Sequence, residues 1–171
     1  MSARTAPSSP TITATEILAR RVVLPDPGAT RALGARLAAV LRPGDLVALE
    51  GDLGAGKSEL ARAAIRARAG AAIEVPSPTF TLVQDYDLPG LRLTHADLYR
   101  LAAPEELHEL GLDEALQEGA VLVEWPERAG ALLTADRLTI RLTGDPDRPE
   151  VREAELRAGP SWLGRLAGLS G

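Results

Sequence analysis

The segment at residues 51–58, GDLGAGKS, constrains the fold more than any other part of this sequence. It fits the pattern G-x-x-x-x-G-K-[ST], in which glycines let the backbone curl so that successive N–H groups point inward towards phosphate oxygens. The segment follows the apolar run DLVALE at 45–50 and precedes a stretch, 57–69, whose apolar residues recur at helical spacing. A buried strand, a glycine-rich turn and a helix in this order predict a phosphate loop in an α/β domain. A turn that merely joins strand to helix is the alternative, but it does not account for the Lys-Ser pair.

Lys57 stands out in this loop because it is the only lysine of the chain, which otherwise uses arginine for its basic side chains. A compact ammonium on a flexible stem can lie between two phosphates, whereas a planar guanidinium is larger and its donors are fixed in a fork. We therefore predict that Lys57 reaches the β- and γ-phosphates of a nucleotide and acts in hydrolysis, while the Ser58 hydroxyl binds Mg2+. The predicted nucleotide-binding residues form one continuous stretch: Asp52, Leu53, Gly54, Ala55, Gly56, Lys57, Ser58 and Glu59.

The identity of the nucleotide base follows from eliminating one known recognition motif. P-loop GTPases commonly read guanine with an N/T-K-x-D element located after the metal-binding acid. This element requires a lysine, and Lys57 already belongs to the phosphate loop. Adenine is therefore favoured, and ATP with Mg2+ is the expected ligand pair.

Two carboxylates compete for the role of metal-binding acid. A phosphate loop needs such a partner, usually at the end of a neighbouring apolar strand. Glu124 ends the apolar run AVLVE, and Asp97 ends the more polar run RLTHAD. Either residue could instead be an ordinary strand-end carboxylate that caps a loop, and the residues alone do not choose between the two.

A group that senses the γ-phosphate is expected after the loop helix. The segment PSPTFT at 76–81 lies there and carries hydroxyls at Ser77, Thr79 and Thr81. These residues are typical of a switch segment, and they are equally typical of a turn that leads into a strand. The pattern leaves both interpretations open.

Composition excludes several classes of function. The net charge of −5 argues against a broad electrostatic footprint on nucleic acid. The chain has no cysteine, which excludes a disulfide framework, a Cys-ligated zinc and a thiol nucleophile. No apolar run approaches the length needed to span a bilayer, and the N-terminal residues lack the apolar core of a secretory signal. We expect a cytoplasmic protein with no membrane association.

The chain is predicted to form one domain at 19–159 between two tails. Residues 1–18 are rich in Ser, Thr, Pro and Ala, which predicts a disordered tail. Residues 160–171 form a C-terminal tail, which either makes one amphipathic turn through Trp162, Leu166 and Leu169 or frays. A helix is expected to begin at Pro104, since proline fits the first helical position and the two following glutamates favour the positive end of the helix dipole.

The predicted fold is α/β, with a P-loop NTPase-like mixed β-sheet flanked by helices. The runs TFTLVQDYDL and LRLTHADLYRL are joined by Pro-Gly, and RLTIRLTG and EVREAELRA are joined by DPDRP. Apolar and polar residues alternate within these runs as they do in strands, so each pair of runs predicts an antiparallel hairpin. One hairpin follows the P-loop helix and the other lies near the C-terminus.

Five segments together resemble the TsaE family of bacterial proteins. The segments are GDLGAGKS, SPTFTLVQDY, HADLYRL, PEELHELGL and LVEWPER, in the order and spacing of that family. The resemblance extends over residues 21–158. It implies a small P-loop ATPase that works with TsaD and TsaB homologues in forming threonylcarbamoyladenosine beside the anticodon of tRNAs that read ANN codons. In that complex TsaD carries out the transfer, so contact with tRNA is expected only through the complex.

The resemblance also implies roles for individual residues. Asp97, in the segment matching the family's DLYR element, would be the Walker-B-like acid, and Glu124 a second acid beside the metal. Trp125 would be a neighbour of the nucleotide. Thr79 would be the switch-like hydroxyl and join Lys57 and the two acids as a catalytic residue. The expected metal-binding residues are thus Ser58, Asp97 and Glu124.

The sequence departs from the family pattern at three informative positions. Ser58 and Glu59 stand where the family commonly has two threonines. Serine keeps the metal-binding hydroxyl, while Glu59 puts a carboxylate where a second hydroxyl is common. Ala96 replaces an aromatic residue before Asp97, a change that we interpret as one of packing. Two other functions remain as alternatives: a P-loop small-molecule kinase, and a nucleotide-dependent binding module without turnover.

Overall fold

The computed structural model describes residues 17–78 and 81–170, and within them a seven-stranded mixed sheet carries the fold. In chain order the strands are β1 (Ile17–Leu24), β2 (Leu46–Glu50), β3 (Val83–Leu88), β4 (Leu91–Asp97), β5 (Ala120–Glu124), β6 (Leu138–Gly144) and β7 (Arg152–Ala158). They lie in the spatial order β1-β7-β6-β2-β5-β4-β3. Four neighbouring strands in the middle of the sheet, β6, β2, β5 and β4, are parallel to one another, and antiparallel strands lie at both edges.

The sheet forms because the apolar runs of its central strands are covered on both faces. Helices α1 (Pro27–Val40) and α2 (Lys57–Ala69) pack together on one face, where Leu49 of β2 and Leu122 of β5 are fully buried. The short helix α3 (Leu112–Glu118) covers the other face together with two 3-10 segments. Burial on both faces is typical of parallel strands and explains why these runs are almost continuously apolar.

The predicted α/β fold with two hairpins is confirmed. Strands β3 and β4 pair antiparallel through a turn at Gly90, where the φ angle of +68° favours glycine. Strands β6 and β7 form the second antiparallel pair. The phosphate-loop helix precedes the first hairpin, as the motif order predicted. No helix among the described residues is long and apolar enough to cross a bilayer.

The helix expected from Pro104 is divided in two by Gly111. Pro104–Leu110 is a 3-10 segment, and α3 begins only after Gly111, whose φ is +69°. A left-handed residue ends a helix because it turns the chain out of the helical path. The periodic pattern predicted helical structure here, but the glycine within it divides the structure into two short elements.

The chain termini differ in how far the structure describes them. Residues 1–16, most of the predicted N-terminal tail, lie outside the described residues, and β1 begins at Ile17. The segment Pro160–Leu169, predicted to lie in a C-terminal tail, forms a 3-10 segment that packs on α1. Of the two possibilities raised by the sequence, the structure has the amphipathic turn: Trp162 and Leu169 are fully buried.

A buried ion pair joins this segment to the sheet. The Arg165 guanidinium donates from Nη1 and Nη2 to the two carboxylate oxygens of Asp45, at 2.6 and 2.8 Å. It also lies 4.0 Å from the centre of the Trp162 ring. Because Asp45 directly precedes β2, this contact fixes the end of the chain beside the strand that leads into the phosphate loop.

Replacing Trp162 by alanine is expected to lower the free energy of unfolding by about 3–5 kcal/mol, the usual cost of truncating a buried aromatic side chain. The matched control is Leu163→Ala in the same segment, which removes a side chain that is 45% exposed and should change stability by less than about 1 kcal/mol. Chemical denaturation of both variants provides the measurement. A loss of unfolding free energy below about 1 kcal/mol in both variants would show that the segment does not contribute to the core.

Candidate nucleotide site

The site lies where the parallel strands end. Strands β2, β5 and β4 run in the same direction, and their carboxyl ends meet at one edge of the sheet. In the β4–β5 ladder Asp97 is the direct partner of Glu124. The two acids that the sequence could not rank are therefore neighbours. A crevice at the carboxyl ends of parallel strands is the usual ligand position in open α/β sheets.

The phosphate loop connects β2 to α2, and two of its glycines adopt left-handed backbone angles. The φ angles of Gly54 and Gly56 are +81° and +107°, in a region that side chains with a Cβ rarely adopt. Gly51 is constrained by space as well, because a Cβ there would lie 2.6 Å from the carbonyl oxygen of Leu142. Helix α2 begins at Lys57 directly after the loop, so its unpaired N–H groups and positive dipole end face the same region.

Lys57 is held inside the loop and is only 5% exposed. Its ammonium donates to the carbonyl oxygens of Gly51 and Asp52, the latter at 2.9 Å, and lies 4.1 Å from the centre of the Trp125 ring. Burial lowers the pKa of Lys57, and the charges of Glu124 and other nearby acids oppose that shift. The acids thus help to keep a buried ammonium charged where phosphate oxygens would approach.

Ser58, Glu124 and His95 form a hydrogen-bonded row across the strand ends. The Ser58 hydroxyl donates to Glu124 Oε2 at 3.0 Å, and His95 Nε2 lies 3.2 Å from Glu124 Oε1. Glu124 is 1% exposed and His95 is fully buried. Both carboxylate oxygens of Glu124 are therefore oriented, one by the first turn of α2 and the other by β4.

Asp97 has a different environment from its strand neighbour. Its Oδ1 accepts a hydrogen bond from the backbone N–H of Tyr99 at 3.0 Å, and the residue is 5% exposed. Burial raises the pKa of Asp97, and the nearby Glu124 charge raises it further, while the Tyr99 N–H and the His95 and Lys57 side chains act in the opposite direction. A carboxylate held in such a setting gains from a cation placed beside it.

The oxygen donors at the strand ends suit Mg2+. A serine hydroxyl bonded to one carboxylate, with a second carboxylate in the adjacent strand, is a set of hard oxygen ligands. Among the described residues no three His, Asp or Glu side chains form a complete metal site. Mg2+ in nucleotide sites usually takes one or two carboxylates, and phosphates and water supply the other ligands. The residues present therefore fit the ion together with a nucleotide.

An aromatic pair forms one wall of the site. Trp125 follows Glu124 and has a positive φ of +56°. Such an angle is uncommon for a bulky residue, and residues with uncommon backbone angles cluster at functional sites. Its ring centre lies 4.9 Å from that of Tyr99, over which the Arg128 guanidinium lies at 5.7 Å. The cleft has a volume of about 320 Å³ and is lined by Leu53, Gly54, Gly56, Lys57, Ser58, Glu59, Ser77, Asp97, Tyr99, Arg100, Glu124 and Trp125.

Most of the residues predicted for the site line this cleft. Asp52 and Ala55, predicted to bind nucleotide, instead line a neighbouring pocket beside Leu142, and Thr79 and Glu59 need separate mention. Thr79, the predicted switch hydroxyl, lies outside the described residues, although Ser77 of the same segment is at the cleft wall. Glu59, predicted to bind nucleotide, lies at the cleft wall with its carboxylate paired to Arg31 of α1 at 3.1 Å. That ion pair joins α1 to α2.

Sequence reasoning missed three residues of the site. Tyr99 was assigned no role, yet its ring forms part of the cleft wall. His95 was also assigned no role, yet it contacts Glu124. Its position two residues before Asp97 on one strand could have indicated this, since residues i and i+2 share a face. Arg152 donates to carbonyl oxygens of the phosphate loop. Nothing local predicts that contact, because Arg152 lies on a strand that follows the loop by about a hundred residues.

Comparison with known families supports a single assignment. A sequence profile described as "Threonylcarbamoyl adenosine biosynthesis protein TsaE" matches residues 24–153. Proteins named "tRNA threonylcarbamoyladenosine biosynthesis protein TsaE" are similar to this chain. The protein from Streptomyces coelicolor is 43% identical over 115 residues, which are 66% of this chain and 77% of the relative. The protein from Bacillus subtilis is 39% identical over 126 residues, 72% and 78% of the two chains.

The Rickettsia felis relative of the same name is 43% identical over 113 residues, and the match spans 66% of each chain. The likeness also extends to the fold. A crystal structure of Bacillus subtilis YdiB superposes with a TM-score of 0.72 and 31% sequence identity, covering 90% of this chain and 93% of that one. The profile match at 24–153 contains the phosphate loop and both strand-end acids.

Proposed function

The chain belongs to the TsaE family, and we propose that it binds ATP with Mg2+, hydrolyses ATP, and thereby supports the formation of threonylcarbamoyladenosine in tRNA. The partners would be TsaD and TsaB homologues, with tRNA held by the complex rather than by this chain. The net charge of −5 supports this division, because an acidic chain gains little from phosphate contacts. Modification of tRNA also makes the cytoplasm the expected location.

One observation carries the ATPase proposal. The Ser58 hydroxyl, at the start of α2, donates to Glu124 at 3.0 Å, and Asp97 is paired with Glu124 in the adjacent strand. This contact brings together the phosphate loop and both acids at one end of the sheet. Phosphoryl transfer depends mainly on positioning and charge stabilisation, and this arrangement supplies both.

Each residue then has a defined part. The loop N–H groups at 52–58 bind phosphate oxygens, and Lys57 neutralises charge that develops on the β- and γ-phosphates. Ser58, Asp97 and Glu124 hold the metal, which when bound supplies charge neutralisation at the phosphates. Trp125 packs against the Lys57 ammonium and restricts the access of water to it. Thr79 is retained as the proposed switch hydroxyl.

The assay that tests this proposal measures phosphate release from ATP and Mg2+ by the full chain, alone and with TsaB and TsaD homologues. We expect slow release by the chain alone and an increase when both partners are added. Transfer of phosphate to an added metabolite would instead identify a kinase. ATP-dependent assembly with the partners but without phosphate release would identify a binding module, and either result would overturn the ATPase assignment.

A further inference from the structure

The carbonyl groups of a phosphate loop need partners as much as its N–H groups do. When successive N–H groups turn inward towards a ligand, the intervening carbonyls turn outward. In this chain Arg152 meets two of them: Nε donates to Ala55 O at 3.1 Å, and Nη2 donates to Gly54 O at 3.3 Å. One planar guanidinium therefore bonds to two consecutive residues of the loop.

The same guanidinium is anchored on its other side. Arg152 Nη1 donates to the carbonyl oxygens of Pro149 and Val151, the latter at 2.9 Å. Arg152 is the first residue of β7, where its backbone pairs with both Leu24 of β1 and Gly144 of β6. The arginine thus connects the phosphate loop to the antiparallel half of the sheet, which supplies none of the predicted site residues.

We propose that Arg152 is a positioning residue of the nucleotide site, which holds the Gly54 and Ala55 carbonyls outward so that the loop N–H groups stay directed at phosphate. This inference rests on the proposed ATP binding. The fixed fork of arginine is what allows a single side chain to bond to both carbonyls and to the hairpin together. Lysine carries the same charge but a single ammonium, so it cannot reproduce this set of bonds.

The chain offers a matched control on the same hairpin. Arg148 precedes Arg152 by four residues, is exposed, and bonds to Asp145 at 2.6 Å through Nη2. Arg148→Met therefore removes one positive charge from the same hairpin without touching the contacts to Gly54 and Ala55. Any effect shared by the two methionine variants reports charge rather than loop positioning.

The experiment compares the wild-type chain with Arg152→Met, Arg152→Lys and Arg148→Met. We expect Arg152→Met to weaken the binding of ADP with Mg2+, measured by calorimetry, by roughly 10- to 100-fold. This is the range seen when residues that hydrogen-bond to metal ligands, and so orient them, are removed. Arg152→Lys should weaken binding too, and Arg148→Met should bind like wild type. Hydrogen exchange of the peptide at 51–58, measured without nucleotide, should be faster than wild type in both Arg152 variants and unchanged in Arg148→Met.

Three results would contradict the proposal or its premise. Unchanged ADP binding together with unchanged loop exchange in Arg152→Met would overturn the positioning role. Faster exchange spread over the whole sheet, with a matching fall in thermal midpoint, would show that Arg152 only stabilises the fold. Failure of the wild-type chain to bind ADP would overturn the proposed function instead, while the exchange comparison would still decide whether Arg152 holds the loop.

Discussion

Replacing Lys57 by arginine is expected to reduce ATP hydrolysis by roughly 100-fold or more, although the substitution conserves the charge. The Lys57 ammonium occupies a site that is 5% exposed, between the carbonyls of Gly51 and Asp52 and the ring of Trp125. A guanidinium is larger and planar. It would displace either the loop or the indole, and with them the geometry around the phosphates.

Phosphate release under single-turnover conditions measures this effect, and calorimetry with ADP shows how much of it comes from binding. The control is Arg62→Lys, a change between the same two side chains on the same helix, which should leave the rate unchanged. Hydrolysis at the wild-type rate in Lys57→Arg would contradict the role assigned to the ammonium. It would also remove the physical reason for the single lysine in this chain.

Replacing either strand-end acid by its amide is expected to reduce hydrolysis by roughly 100- to 1,000-fold, because each variant removes a negative charge beside the proposed position of the metal and the phosphates. In Glu124→Gln the amide oxygen can still accept from the Ser58 hydroxyl while the amide nitrogen lies beside His95, so the fold should be retained. In Asp97→Asn the amide oxygen can still accept from the Tyr99 N–H. Nucleotide binding should fall less than turnover in both variants.

The matched control for these variants is Glu118→Gln. Glu118 pairs with Arg92 at 2.9 Å, next to the start of β5 and thus at the opposite end of that strand from Glu124. It should hydrolyse ATP at the wild-type rate. Full activity in Asp97→Asn or Glu124→Gln would show that the acid concerned is a bystander.

Asp97→Asn should also raise the thermal midpoint of the nucleotide-free protein at neutral pH. Burial raises the pKa of Asp97, so the unfolded chain ionises first as the pH rises, and ionisation favours the unfolded state. Below pH of about 4, the ordinary range of an aspartate pKa, both states are protonated and this contribution disappears. The difference between variant and wild type should therefore grow from acid towards neutral pH, as thermal unfolding at several pH values would reveal. A difference that does not change with pH would contradict this origin.

Local patterns predicted a large part of this molecule because they depend on residues that are close in the chain. The phosphate loop follows from glycine spacing between an apolar run and a periodic run, and both hairpins follow from alternation around turn residues. The break at Gly111 was not predicted, since the helical periodicity continues through it. The partners TsaD and TsaB follow from the family resemblance alone and stay a prediction.

The sequence by itself determined the loop, its lysine and two strand-end acids as candidates, because each is defined by its immediate neighbours. Only the tertiary structure decided that Asp97 and Glu124 are adjacent, since their proximity depends on the order in which β4, β5 and β2 pair. It also decided that Glu59 meets Arg31 and that Arg152 meets the phosphate loop. These contacts join residues 28 and 97 positions apart, and no local spacing rule reaches across such distances.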